Sequence, residues 1–274
     1  MRRVSETEIR CLLAAPFSEE KITLLMLQSK SGCILFPSIN CIFVVNQENE
    51  IMKKFAVVLA GCGVYDGAEI HEATLAMLAI KQSGNDYQCF APDMEQYHVI
   101  NHLTGEVMNE KRNVLVEAAR IARGSIMPLS QFDADSFDVL FFPGGFGAAK
   151  NLSTVAFDGP KATVQPDVEK AVKAMFNQKK PIGAMCISPA FIAKILGDVN
   201  VTIGNDEGTA QVIEAFGGTH IQTEHGDVVC DHEKKVFTTP CYMLDASIAD
   251  IWDGAYNIVE SILASFEPKD TAEE

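Results

Sequence analysis

From Phe55 onward the chain alternates short apolar runs with stretches whose apolar residues recur at helical spacing. Residues 55–60 form a continuous apolar run, the pattern of a strand buried on both faces of a parallel sheet. Residues 69–82 read as a helix stopped by Gly84, and 87–91 as the next strand. The same reading gives a helix over 113–122 ending at Gly124, and a strand over 137–142 closed by Pro143-Gly144-Gly145. Residues 166–177 carry Pro166 in the first turn and the acids Asp167 and Glu169 near the positive end of a helix. A strand over 181–185, a short helix over 189–196, a strand over 199–203 and a helix over 209–216 follow. The rhythm then changes. Residues 227–230 and 235–239 flank the polar turn Asp231-His232-Glu233-Lys234, a hairpin signal, and 247–266 close the pattern as a long helix.

Strand–helix alternation of this kind predicts a three-layer α/β fold: a flavodoxin-like sandwich with a mostly parallel sheet and a C-terminal β-hairpin insertion. Ligands in such folds sit beyond the carboxyl ends of the strands. The turns after Ala60, Phe142, Met185, Ile203 and Thr239 are therefore where chemistry is sought.

Residues 1–51 read differently. Their apolar run, 33–45, is broken by Pro37 and Asn40 and is too short to span a bilayer. Glu6, Glu8, Glu19, Glu20, Glu48 and Glu50 are foreign to an Arg-rich, acid-poor mitochondrial presequence. The change of text at Met52 suggests the true start, with Gln47-Glu48 compatible with a ribosome-binding sequence upstream. The expected organisation is an extension over 1–51, one α/β domain over 52–266, and an acidic tail over 267–274.

A net charge of −15 argues against phosphate backbones and anionic lipid as partners, so neither nucleic acid nor membrane is expected. The 8 cysteines form no CxxC pair and no cluster with zinc spacing, and His71-Glu72 lacks the second histidine of a zinc-protease helix. No metal is expected. Free thiols in this number suggest a reducing compartment, read as the cytoplasm.

Three turns carry candidate chemistry. Gly183-Ala184-Met185-Cys186-Ile187-Ser188-Pro189 places Cys186 between a strand and a helix. That turn resembles a nucleophile elbow, and the N–H groups opening the next helix favour thiolate. A structural cysteine is the plainer alternative. The Pro143-Gly144-Gly145 turn lets backbone N–H groups approach a ligand, as in an oxyanion hole, or is simply a glycine turn. The turn Gly61-Cys62-Gly63-Val64-Tyr65-Asp66-Gly67 breaks the dinucleotide fingerprint at Asp66. Glu69 opens the following helix. It is either an acid satisfying the helix dipole or a carboxylate aimed across the sheet ends at Cys186, able to shuttle protons.

Together these turns resemble the PfpI/ThiJ-like branch of the class I glutamine amidotransferase-like superfamily, and more closely its ElbB-type glyoxalases. The resemblance rests on the Pro-Gly-Gly turn running into Asn151-Leu152-Ser153 and on the Cys186 elbow. It rests also on Ala60-Gly61-Cys62-Gly63-Val64-Tyr65-Asp66-Gly67, Glu69-Ile70-His71-Glu72-Ala73, Ile100-Asn101-His102-Leu103-Thr104-Gly105-Glu106, and Thr238-Thr239-Pro240 before Tyr242-Met243-Leu244. It covers Met52 to about Phe266. It implies a flavodoxin-like homodimer acting without a cofactor on small 2-oxoaldehydes such as glyoxal or methylglyoxal.

By that resemblance Cys186 is the nucleophile and Glu69 its acidic partner. Gly144, Gly145 and Ile187 line the oxyanion and substrate site, and His102 and Asp206 are possible auxiliaries. Many relatives carry His directly after the nucleophile; Ile187 stands there instead, which disfavours amidase or protease chemistry through a Cys–His pair, while amide transfer from glutamine is disfavoured by the missing downstream His-x-Glu pair, of which His225-Gly226-Asp227 at the hairpin is the nearest imitation. The competing reading is a redox or carbonyl-stress sensor, or a deglycase-like protein, with little turnover, in which Cys62 or Cys241 resolves an oxidised Cys186. The family name is linked to isoprenoid production, which no residue here explains.

Overall fold

The computed structural model describes residues 51–267. The expectations for 1–50 and for the end of the acidic tail lie outside the described residues.

Strand β1 (Lys54–Val58) leads through the 61–69 loop to α1 (Ile70–Gln82), β2 (Asp86–Ala91), a long 92–113 excursion, α2 (Val114–Ile121) and β3 (Ile126–Pro128). Then come β4 (Val139–Phe142), the short helices α3 (Phe146–Lys150) and α4 (Val155–Asp158), α5 (Pro166–Asn177), β5 (Ile182–Met185) and α6 (Ser188–Leu196). The chain finishes with β6 (Asn200–Val201), α7 (Glu207–Ala215), β7 (Thr219–His220), β8 (Val229–Asp231), β9 (Val236–Thr239) and α8 (Ile248–Ala264).

The main sheet has 7 strands in the order β3-β2-β1-β4-β5-β9-β8. All pairs are parallel except β8 with β9, whose antiparallel register pairs Val229 with Thr238 and Asp231 with Val236. This is the flavodoxin-like, class I glutamine amidotransferase-like architecture. The pleat of β1 sends Phe55 and Val57 into one core with α1, α2 and α8. Ala56 and Val58 enter the other, with α5, α6 and α7. Each face is sealed by helices, which is why the strands read as unbroken apolar runs rather than as alternation.

Two expectations change. The hairpin supplies two strands of the main sheet, with β9 hydrogen-bonded alongside β5 from Ile182↔Val236 to Met185↔Thr239. The strand expected over 199–203 shrinks to β6, which pairs only with β7 in a separate sheet. With β9 occupying the place beside β5, residues 199–203 run across the hairpin instead. They are fastened there by Thr202 N–H donating to Thr238 Oγ1 (2.9 Å) and Asn200 N–H donating to Asp231 Oδ2 (2.9 Å). The turn after Ile203 therefore follows no strand of the main sheet, although Gly204 packs on Pro240 and Leu244 just past the end of β9.

Chain order reverses between β1 and β4, and the loops leaving those two strands face one another across that switch point. They are stitched by main-chain bonds from Phe146 N to Val64 O (2.8 Å), Gly147 N to Gly67 O (2.9 Å) and Glu69 N to Gly144 O (3.0 Å). Asn151 adds a buried tie. Its Nδ2 donates to Ala60 O and Asp66 O (2.9 Å each), and its Oδ1 accepts Tyr97 N–H (3.0 Å).

Candidate active site

Cys186 is the first residue past β5 and has φ +60°, a left-handed conformation that costs a residue with a Cβ about 1–2 kcal/mol. Two contacts hold it there: Cys186 N–H donates to Thr239 O (3.0 Å), and Ser188 Oγ donates to Pro143 O (2.8 Å). The strand-to-helix elbow expected from the sequence is present. Its consequence is not the expected one, because Cys186 is buried, 7% exposed, and its side chain lies against the Gly144 turn rather than out in solvent.

A Cβ on Gly144 would fall 2.3 Å from Cys186 Cβ, 2.8 Å from its Sγ and 2.7 Å from Glu72 Oε2. Only glycine lets that backbone approach the sulfur so closely. Gly145 has φ +94°, and a Cβ there would fall 2.4 Å from Glu69 N. The backbone N–H groups of Gly145 and Ile187 donate to the sulfur. Ile187 opens α6 with no side-chain cap competing for those donors.

The carboxylate on Cys186 is that of Glu72, which the sequence reading did not single out. Glu72 is fully buried and hydrogen-bonded to the Cys186 thiol. Its Oε2 accepts Gly144 N–H (2.9 Å), and its Oε1 accepts Tyr242 N–H (3.2 Å). Glu69, the expected partner, is instead the N-cap of α1; its Oε2 accepts Glu72 N–H (2.7 Å). It supports Glu72 from behind and adds negative charge. A signal for Glu72 was available: it shares the buried face of α1 with Ala73, Ala76, Ala79 and Ile80, and a carboxylate on such a face needs a partner.

Burial raises the Glu72 carboxyl to about 7; the Glu69 charge adds to the rise, and hydrogen bonds from Cys186, Tyr242 and Gly144 oppose it. Burial also pushes the Cys186 thiol well up, with the Glu72 charge second. The Gly145 and Ile187 N–H groups pull it down by less. The helix N-terminus therefore does not win, and the expectation of a resting thiolate is corrected. The pair holds a proton through neutral pH, so Glu72 is the group able to accept the sulfur's proton when an electrophile arrives.

The remaining candidates lie elsewhere. His102 Nδ1 donates to Ile100 O (3.0 Å), leaving Nε2 to accept Tyr65 N–H (3.3 Å), so the ring is committed to joining the 92–113 excursion to the 61–69 loop. Asp66 assists through Oδ2, which accepts Ile100 N–H (2.7 Å). Asp206 is the exposed N-cap of α7. Its carboxyl is lowered by bonds from the Thr209 side chain and backbone. No contact brings Asp206 to Cys186; its side chain is spent on the Thr209 N–H (2.7 Å). The partners of Cys186 are Glu72, Gly145 and Ile187, none of them an imidazole. Among the described residues no group of three or more His, Cys, Asp or Glu could hold a metal ion.

No family model matches the chain. Individual relatives do. The chain is 44% identical over 220 residues to the ES1 protein homolog, mitochondrial, of Rattus norvegicus, covering 77% of this chain and 83% of that protein. The identity is also 44% to the glutamine amidotransferase-like class 1 domain-containing protein 3, mitochondrial, of Homo sapiens, over 77% of this chain and 82% of that one. This chain belongs to the ES1 family.

A solved member of the wider group is an isoprenoid biosynthesis protein with an amidotransferase-like domain from Ehrlichia chaffeensis. It superposes with TM-score 0.74 at 38% identity, over 78% of this chain and all of that one. Glyoxalase III from Candida albicans shares the fold alone, with TM-score 0.53 at 18% identity over 79% of this chain and 98% of that one. The ES1 names also correct the cytoplasmic expectation, since the relatives from rat, human and Danio rerio are all named mitochondrial. Thiol content separates reducing from oxidising surroundings and nothing finer, so it was no guide to the organelle.

Proposed function

We propose that this ES1-family chain is a cofactor-free glyoxalase that converts glyoxal or methylglyoxal to the corresponding 2-hydroxy acid, and that it acts in the mitochondrion as its relatives' names suggest. The observation that carries the reading is the buried Glu72 carboxylate hydrogen-bonded to Cys186 beneath the Gly145 and Ile187 N–H groups.

Cys186 Sγ bonds to the aldehyde carbon and its thiol proton passes to Glu72, while the Gly145 and Ile187 N–H groups steady the oxyanion. Once the hemithioacetal has formed, its oxygen protonated and Glu72 again a carboxylate, Glu72 takes the proton from the former aldehyde carbon and returns it to the adjacent carbon. The result is a thioester of the 2-hydroxy acid. Water then cleaves the C–S bond, restoring the thiol and releasing the acid. A carboxyl held near 7 is matched to both halves of that transfer. Amide transfer from glutamine is disfavoured, because Cys186 has no imidazole partner.

The test is to incubate the purified chain with glyoxal and methylglyoxal, quantify glycolate and lactate, and compare Cys186→Ala. Product that depends on Cys186 is expected. No product, or equal rates in Cys186→Ala, would sink the glyoxalase reading.

A further inference from the structure

The Pro143-Gly144-Gly145 turn meets the reacting pair through two consecutive peptide groups. In a trans peptide the C=O of one residue and the N–H of the next share a plane and point in opposite directions, so fixing the oxygen aims the hydrogen. The 143–144 peptide sends Gly144 N–H to Glu72 Oε2 (2.9 Å), and the 144–145 peptide sends Gly145 N–H to the Cys186 sulfur. Both oxygens are anchored. Gly144 O accepts the backbone N–H of Glu69 (3.0 Å), and Pro143 O accepts the Ser188 hydroxyl (2.8 Å).

One anchor is main chain; the other is the Ser188 side chain. Ser188 is fully buried and opens α6, two residues past Cys186. The helix that starts at the nucleophile elbow thus also orients the peptide that reaches Glu72. That peptide needs an anchor. Gly144 has no Cβ to hinder rotation, so the 143–144 plane can turn by a concerted change of Pro143 ψ and Gly144 φ. Turned over, it would set a carbonyl oxygen against the carboxylate and leave Glu72 Oε2 without its donor. The Ser188 bond also polarises the amide, which strengthens the donation from its far end.

We propose that Ser188 is a positioning residue of the Cys186–Glu72 pair: by holding Pro143 O it keeps Gly144 N–H on Glu72. The proposal rests on the reading of Glu72 as the group that takes the sulfur's proton, and it holds for any electrophile that Cys186 attacks. Its consequence is a pH dependence. The Gly144 N–H bond stabilises the charged carboxylate, and so lowers the Glu72 carboxyl against the rise that burial imposes. Losing that bond moves the carboxyl further up. The titratable groups facing Glu72 are Glu69 on α1, Cys186 at the elbow, and Cys241 and Tyr242 after β9. Removing the Ser188 hydroxyl takes away none of them.

The experiment follows iodoacetamide alkylation of the Cys186 peptide against pH, in the full chain. The proteins are wild type, Ser188→Ala, Ser188→Thr, Glu72→Gln and the variant carrying both Ser188→Ala and Glu72→Gln. Alkylation of wild type should set in as the pair loses its first proton, with a midpoint at about 7. In Ser188→Ala the midpoint should move up by about one pH unit, so that alkylation well below it slows about tenfold. Ser188→Thr keeps the hydroxyl and should keep the wild-type midpoint. Glu72→Gln should lose the step, and adding Ser188→Ala to it should change rates by no more than about twofold, because Ser188 acts through the carboxylate. An unmoved midpoint in Ser188→Ala would overturn the proposal. So would equal slowing with and without Glu72, which marks a merely structural role. If Ser188→Ala does not fold, Ser188→Thr decides: an unchanged midpoint upholds the proposal, and one displaced by more than about half a unit overturns it. Glyoxal turnover is measured on the same preparations. A displaced midpoint in Ser188→Ala with no hydroxy acid from wild type sinks the glyoxalase reading alone. If wild type shows no step that Glu72→Gln removes, Glu72 is not the sulfur's base and both fail.

Discussion

Replacing Glu72 by Gln keeps the side chain's shape and removes its charge, and its consequences depend on pH in a direction that can be worked out. The folded carboxyl sits at about 7 against an ordinary 4.5, so it binds its proton more tightly than the unfolded one. The folded state therefore takes up a proton between those values. Its stability falls as pH rises through that window and levels off above it. At about 1.4 kcal/mol per tenfold change in proton affinity, keeping Glu72 charged above neutrality costs the folded protein about 3 kcal/mol. Cys186 does not blur the window, because its thiol is raised well above it.

Glutamine removes that cost but brings another. Gly144 N–H and Tyr242 N–H each donate to a carboxylate oxygen, and an amide offers only one oxygen. One buried N–H loses its acceptor, at about 1–3 kcal/mol, at every pH. Glu72→Gln is thus expected to be less stable than wild type at pH 5 and to gain about 2–3 kcal/mol relative to it by pH 8. Urea denaturation of both proteins at the two pH values reads this double difference, from which other titrating groups cancel. Glyoxal turnover should fall by about a hundredfold or more throughout. A stability gap that stays constant within about 1 kcal/mol from pH 5 to pH 8 would refute the reasoning, since the shift alone predicts more than that.

Gly144→Ala should be among the most damaging single-methyl changes in the chain, because its Cβ has 2.3 Å to Cys186 Cβ and 2.7 Å to Glu72 Oε2. A loss of about 1–3 kcal/mol or more in a thermal melt, with loss of turnover, is expected. Asp206→Ala should cost about 1 kcal/mol by removing the α7 cap and leave turnover unchanged; a turnover defect would return Asp206 to the site.

The sheet was legible because strands sealed on both faces must be apolar where they are buried, as β4 is throughout and β1 is from Phe55 on, and because helices between them announce themselves with caps and stops such as Pro166 and Gly84. The shortest pieces, β3, β7, α3 and α4, were not legible. Two to five residues carry too little periodicity to read, and their existence depends on a neighbour already in place. The hairpin was readable as a hairpin. That β9 would fill the slot beside β5 and displace residues 199–203 was not, because register between distant strands is a contest settled by packing.

The candidate site divides in the same way. By itself the sequence determined which turn bends sharply and which glycines accompany it, since Cys186 between a strand and Ser188-Pro189, and the Gly144-Gly145 pair, are local chemistry. Only the tertiary structure decided which carboxylate meets the sulfur. Glu69 and Glu72 are one turn apart on the same helix, and the choice falls to Glu72 because its face of α1 is pressed against the sheet while Glu69 caps the helix end. Tertiary structure also decided the protonation of the pair. The helix N-terminus that favours thiolate is visible in sequence, but the burial that outweighs it exists only once α1, the Gly144 turn and the segment after β9 close around Cys186.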